Sequence, residues 1–107
     1  MTAPAADPIS ARELSLFATN DGKLYLSTAL PIIANLAKKQ RAGKYDHKLA
    51  LKAWFNYATE ASAAYSKEFG APMNARHHFD VPTRWLAAGE IADHYADQIG
   101  ETAAAQL

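Results

Sequence analysis

Three potential metal ligands lie close together near the end of the chain. Glu90, His94 and Asp97 are spaced by four and three residues, which places them on one face of a helix. Carboxylate and imidazole groups are ligands that zinc accepts, but a zinc site also needs a fourth ligand and hydrogen-bonded supporting groups. The spacing supplies neither. We therefore expect no metal here, and we expect His77 and His78 to belong to a packed loop.

The chain carries no pattern typical of an enzyme. It contains no cysteine, which excludes disulfides, thiolate ligands and cysteine nucleophiles. It also lacks a glycine-rich phosphate loop, a nucleophile elbow and an H-E-x-x-H motif. No spacing of Ser, His and Asp indicates a catalytic triad. The sequence predicts a protein that is not an enzyme and that uses no cofactor.

Basic residues are concentrated around one predicted turn. Six of the eleven basic side chains lie between residues 38 and 52, where Asp46 is the sole acid. They can be interpreted as cations that compensate a helix dipole and keep the surface soluble, or as a contact for phosphates or an acidic protein. The net charge of zero favours the first interpretation. We refer to these residues as the basic turn: Lys38, Lys39, Arg41, Lys44, Lys48 and Lys52.

Acidic residues are concentrated on the last predicted helix. Four of them fall on one side of it, opposite the apolar face. Such a row is usually a solvated helix face; the alternative is a docking surface for a basic groove on another protein. We refer to these residues as the acidic stripe: Glu90, Asp93, Asp97 and Glu101.

The longest predicted helix spans residues 46–69, and we expect the other helices to pack around it. Asp46 can accept hydrogen bonds from the N–H groups of the first turn, and Gly70 can adopt the left-handed conformation that ends a helix. Between them, apolar residues recur at three- and four-residue steps, which predicts one buried face. Its predicted members are Ala50, Ala53, Trp54, Tyr57, Ala61, Ala64, Tyr65 and Phe69.

The first helix is predicted over residues 11–19. Ser10 and Glu13 match the capping-box pattern, and Ile9 and Leu14 occupy the positions of a hydrophobic staple. This pattern fixes the predicted start of the helix at Ser10.

A second helix is predicted over residues 23–42, with a kink or break near Leu30 because Pro31 removes one backbone hydrogen bond. Asp21 or Gly22 would open it. Short apolar runs flank this corner, so residues 14–27 could instead form a β-hairpin. The capping box favours the helix, although the sequence leaves both open.

The last helix is predicted over residues 83–99, with Asp80 and Pro82 at its start and Gly100 at its end. Its predicted buried residues are Trp85, Ala88, Ala92, Tyr95, Ala96 and Ile99. Core packing is expected for both Trp54 and Trp85; if either were exposed instead, it would be a candidate anchor for a partner.

These elements predict an all-α fold, a compact bundle of three long helices plus a short N-terminal helix. The length of 107 residues suits one domain. We expect a mobile lead-in at residues 1–8, one helical domain at residues 9–100 and a tail at residues 101–107.

The same sequence predicts a cytoplasmic protein with no membrane contact. No apolar run approaches the ~20 residues of a membrane span, and the N-terminus lacks the features of a signal peptide. The alanine-rich helix faces would also permit a homo-oligomer.

The segments ELSLFATNDGKLY, PIIANLAKKQRAGKYDHKLALKAW and AAYSKEF resemble a group of short uncharacterised proteins encoded by bacteriophages and other mobile elements. The resemblance covers residues 13–69 and implies a setting in a bacterial host cell, without an activity. Small accessory proteins in that setting often bind and block a host protein.

The leading functional hypothesis is therefore a phage-type protein-binding module that inhibits a host defence complex by occlusion, in the manner of an anti-CRISPR protein. It would use the acidic stripe or the basic turn. The alternative is an accessory or regulatory protein that contacts nucleic acid through the basic turn.

Overall fold

The computed structural model describes residues 6–70 and 79–105 and contains an all-α bundle. Residues 22–41 form one composite helix, because three consecutive helical stretches follow one another without a break. The predicted three long helices and shorter N-terminal helix are thereby confirmed, and residues 14–27 are helical on both sides of Asp21. The elements are α1 (Pro8–Asn20), α2 (Gly22–Leu24), a π-helical turn (Tyr25–Ala29), α3 (Leu30–Arg41), α4 (His47–Phe69) and α5 (Val81–Ala105).

Aspartates begin the helices as predicted at three places. The Asp46 carboxylate accepts hydrogen bonds from the backbone N–H groups of Lys48 at 2.9 Å and Leu49 at 3.3 Å. Asp21 accepts from the N–H of Leu24 at 3.0 Å, and Asp80 accepts from the N–H of residue 83 at 3.0 Å. Each bond satisfies an N–H group that the helix itself leaves without a partner.

The predicted start of the first helix is wrong. The N-cap is Asp7, whose carboxylate accepts from the Ile9 N–H at 3.1 Å and from the Ser10 hydroxyl at 2.9 Å. Pro8 stands at the first helical position, where its missing N–H costs nothing. Ser10 is consequently inside α1 and buried. Of the predicted lead-in, residues 1–5 lie outside the described part of the chain.

The composite helix adapts to Pro31 without ending. Upstream of the proline, the Leu30 N–H donates to the Tyr25 carbonyl, a five-residue step that widens the helix into a π-helical turn. Pro31 then falls at the start of α3, where an N–H donor is not required. The structure therefore has a π-helical turn before Pro31, where a kink or a break into two helices was predicted.

The last helix continues beyond its predicted end. Instead of stopping at Gly100, α5 runs to Ala105 and includes most of the predicted tail. A glycine inside a helix costs only about 1 kcal/mol relative to alanine, and Ala103 is buried on the same helix. Burial of Ala103 therefore stabilises the part of α5 that follows Gly100.

The last helix, α5, is the element around which the others pack, in place of the predicted 46–69 helix. It packs against α1, α3 and α4, whereas α3 and α4 touch each other little. Residue 7 contacts residue 83 and residue 15 contacts residue 90, so α1 and α5 run in the same direction. Tyr57 reaches residue 18 and Tyr65 reaches residue 13, so α1 and α4 are antiparallel.

The core is built from alanines around a few large side chains. Trp54, Tyr57, Leu14, Ile33 and Ile91 are at most 1% exposed. The Cα atoms extend 48 × 32 × 16 Å, and the shortest dimension corresponds to about two packed helices. Many large apolar residues therefore lie at the surface.

Several residues predicted to be buried are among those at the surface. Phe69 is 58% exposed and Trp85 is 43% exposed. Ala96 is also exposed, while Ala87 and Ile91, which were not predicted, are fully buried. The buried face of α5 is thus rotated relative to the predicted one, and Trp85 lies at its margin.

Candidate functional site

The basic turn forms an exposed cationic surface at the end of α3, the following loop and the start of α4. Five of its six side chains are exposed and Lys39 is half-buried. None of the six forms an ion pair with another described residue. Six cations and one acid, Asp46, leave a formal charge of +5 between residues 38 and 52. This charge is available to a partner.

Favourable interaction with a helix dipole explains only three of the six cations in the basic turn. Lys38, Lys39 and Arg41 occupy the last turn of α3, where cations are favourable. Lys48, by contrast, lies in the first turn of α4, which contains no acidic residue. A cation there opposes the positive end of the dipole and costs a little stability. Compensation of the dipole therefore does not explain the cations on α4.

An aromatic pair joins α4 to α5 and lies partly at the surface. The rings of Phe55 and Trp85 are stacked, with centroids 4.1 Å apart and an angle of 17° between their planes. Phe55 covers one face of the indole. Trp85 is nevertheless 43% exposed, so part of its side chain remains accessible to solvent. We refer to Phe55 and Trp85 as the aromatic shelf.

Arg84 adds a further cation at this shelf. Its guanidinium carbon lies 5.4 Å from the centre of the Phe55 ring, within the range of a cation–π contact. One guanidinium nitrogen donates a 2.5 Å hydrogen bond to the Phe79 carbonyl. Its Nε is buried and has no hydrogen-bond partner among the described residues. The ring contact and the Phe79 bond together hold the side chain beside the shelf.

Helix periodicity places two cations of the basic turn on the same side of α4 as Phe55 of the aromatic shelf. Lys48, Leu51, Lys52 and Phe55 are spaced by three, one and three residues on α4, so they share one side of the helix. Lys48 and Phe55 are about 10 Å apart along the axis at 1.5 Å per residue. No acidic residue interrupts α4 before Glu60. Lys48, Lys52 and the half-buried Phe55 ring therefore lie on one side of α4, and Phe55 stacks on the exposed Trp85.

The acidic stripe is shorter than predicted. Glu90 accepts a 2.8 Å hydrogen bond from the Ser15 hydroxyl and lies 3.8 Å from the Arg12 guanidinium. These contacts hold it against α1. The other three members, Asp93, Asp97 and Glu101, are exposed and form no ion pair with described residues. An acidic docking surface would therefore rest on three carboxylates.

The predicted potential metal ligands do not converge. Glu90 is engaged by Ser15 and Arg12, and the exposed ring of His94 packs edge-on against Tyr95 with centroids 4.8 Å apart. Within residues 6–70 and 79–105, no group of three or more His, Asp or Glu side chains could hold a metal ion. His77 and His78 lie outside the described residues.

The fold raises the pKa values of two buried tyrosines. Burial raises the pKa of Tyr57 above its ordinary value, and the neighbouring Tyr95 raises it further. Burial likewise raises the pKa of Tyr95. The Tyr57 hydroxyl donates to the Ala18 carbonyl, while the Tyr95 hydroxyl has no well-formed hydrogen bond among the described residues. Both groups are deep in the core, which gives them a structural role.

No helix in the described part of the chain is long and apolar enough to cross a membrane. Comparison with known proteins finds no matching family model, no matching curated protein and no matching solved structure.

Proposed function

We propose that this protein is a nucleic-acid-binding accessory or regulatory protein, and that the basic turn supplies the contact. The observation that carries the proposal is the local charge of +5 without intramolecular ion pairs among the described residues. Phosphate groups are its natural counter-ions, and each neutralised phosphate releases a condensed salt ion. The chain as a whole is neutral, but its charges are segregated, so the local field is strongly positive.

Two further observations support this function over the leading hypothesis from the sequence. Glu90 is engaged by α1, which weakens the acidic stripe as a docking surface. Lys48 stands at a helix start where it opposes the dipole. An unfavourable cation on an exposed surface is the pattern expected when charge serves a partner, since stability alone would favour an acid at that position.

The test is a binding titration with labelled oligonucleotides. Lys44→Glu combined with Lys48→Glu should lower the affinity at least about tenfold, because two phosphate contacts are lost and two repulsions are added. The second of these substitutions places an acid in the first turn of α4, which the helix dipole favours, so the helix should not be destabilised. The matched control is Lys23→Glu combined with Lys67→Glu, which makes the same charge change at exposed positions outside the basic turn. Equal effects of the two double variants would refute the proposal.

The second candidate is a protein-binding inhibitor of a host defence complex, such as an anti-CRISPR protein. It is favoured by the exposed carboxylates of Asp93, Asp97 and Glu101, which form no ion pair with described residues, and by the resemblance to phage-encoded proteins. Asp93→Lys with Asp97→Lys should abolish capture of a specific partner from nuclease-treated bacterial lysate if this function is correct. The same variant should bind nucleic acid at least as tightly as the unmodified protein. Loss of nucleic-acid binding in it would contradict the primary proposal.

A further inference from the structure

We infer that the nucleic acid bound by this surface is single-stranded, and that a base stacks on the open face of Trp85. The inference rests on the proposed function and goes beyond it, because the basic turn alone would bind any strand through its phosphates. Proteins that hold single strands combine a cationic track with aromatic rings on which unpaired bases stack. The surface along α4 contains both parts.

The geometry of the shelf suits one base. Phe55 occupies one face of the indole at a 4.1 Å centroid distance, and Trp85 remains 43% exposed, so a base can stack only on the opposite face. A base that covered exposed indole surface would remove apolar area from water and leave the stacking with Phe55 in place. In a duplex, the bases are already stacked on one another and cannot reach it.

Cationic side chains of α4 lie where the sugar-phosphate backbone next to that base would run. Lys52 precedes Phe55 by three residues and Lys48 by seven, so both are on the same side of α4 as the shelf. Tyr45, which is 43% exposed, adds a second aromatic ring before the first turn of the helix. Between Phe55 and Asp46, α4 carries no acidic side chain. The carboxylate of Asp46 is engaged by backbone N–H groups.

The experiment compares single-stranded and duplex oligonucleotides of about 12 nucleotides, within the size range of single-strand sites. Trp85→Leu removes the ring and Trp85→Phe keeps one. Trp85→Leu should weaken single-strand binding at least about fivefold and leave duplex binding unchanged, whereas Trp85→Phe should retain most of the single-strand affinity. Phe69→Leu is the matched control, since Phe69 is 58% exposed at the far end of α4. It should change neither affinity.

Tryptophan fluorescence provides an independent measurement. Trp54 is 1% exposed, so quenching on addition of the single strand should come from Trp85 and should disappear in Trp85→Phe even though binding persists. If the protein binds nucleic acid but Trp85→Leu reduces both affinities equally or neither, the stacking inference is wrong and the proposed function stands. If neither oligonucleotide binds, the proposed function fails and the inference fails with it. Thermal unfolding of each variant shows whether a loss reflects misfolding.

Discussion

The Tyr57 hydroxyl donates a 2.5 Å hydrogen bond to the Ala18 carbonyl, and both residues are fully buried. This bond joins α4 to α1. Tyr57→Phe would leave a buried carbonyl without that partner, and we expect it to lower the free energy of unfolding by about 1–3 kcal/mol.

Urea unfolding would measure this loss. Tyr45→Phe is the matched control, because Tyr45 is 43% exposed and its hydroxyl is accessible to water. The control should change stability by less than about 0.5 kcal/mol. Equal stability of the Tyr57→Phe variant and the unmodified protein would show that the bond contributes nothing.

The buried tyrosines also predict alkaline unfolding. Burial raises the pKa of Tyr57 and that of Tyr95 above the ordinary value of 10.0 in the folded protein. As the pH rises past that value, the unfolded chain releases these protons first, so the free energy of unfolding should fall. It should be insensitive to these two groups below about pH 9, where both states keep the proton.

The Tyr95→Phe variant separates the contribution of Tyr95 to alkaline unfolding from that of Tyr57. The Tyr95 hydroxyl has no well-formed hydrogen bond in the described structure, so its removal should be nearly neutral at pH 7. The same variant should lose less stability between about pH 9 and pH 11 than the unmodified protein, because one raised pKa is removed. Identical pH profiles by chemical denaturation would contradict the assignment.

Two glycines should respond to alanine in opposite directions. Gly43 has a φ of 71° in the turn before α4, a conformation that costs alanine about 1 kcal/mol or more. Gly89 lies inside α5, and a Cβ there would meet no atom within 4 Å. We expect Gly43→Ala to lower the melting temperature and Gly89→Ala to raise stability by about 0.5–1 kcal/mol. An unchanged or raised melting temperature of Gly43→Ala would refute the turn geometry.

The helix start at Asp7 gives a further prediction. Asp7→Ala should cost about 0.5–2 kcal/mol, as loss of an N-cap generally does. The comparison variant is Glu13→Gln. If the helix began with a capping box, this substitution would preserve it, because the third position accepts either Glu or Gln. Because Glu13 instead accepts a hydrogen bond from the Tyr65 hydroxyl, that substitution should weaken the α1–α4 contact. If Asp7→Ala left the stability unchanged, the Ser10–Glu13 capping box would be the start of the helix instead.

The sequence was sufficient to predict several helix ends, because a single residue there interacts with the neighbouring backbone. Asp46, Asp80 and Gly70 could be recognised because capping needs only a short side chain or a left-handed φ at the correct position. The start of α1 was ambiguous, since Asp7-Pro8 and the Ser10–Glu13 pair are both valid starts and overlap in sequence. Burial of Ser10 against the rest of the bundle decides between them, and sequence spacing does not contain that information.

The candidate site could be predicted only in part. The cations of the basic turn were identifiable because no acid other than Asp46 lies among them. The exposure of Trp85 was not, because apolar residues cover a wide arc of α5, and the packing of Ala87 and Ile91 determines which part is buried. Phe55 was missed altogether. Its partner is far away in sequence, and only the fold brings the rings together.

The salt dependence of oligonucleotide binding tests the central claim most directly. If about five of the six cations of the basic turn neutralise phosphates, the logarithm of the single-strand affinity should fall with the logarithm of salt concentration with a slope of about −3.5. The Lys44→Glu, Lys48→Glu variant should have a slope smaller in magnitude by about 1.4, and the Lys23→Glu, Lys67→Glu control should keep the original slope. A slope near zero, or the same slope in all three proteins, would contradict nucleic-acid binding by the basic turn.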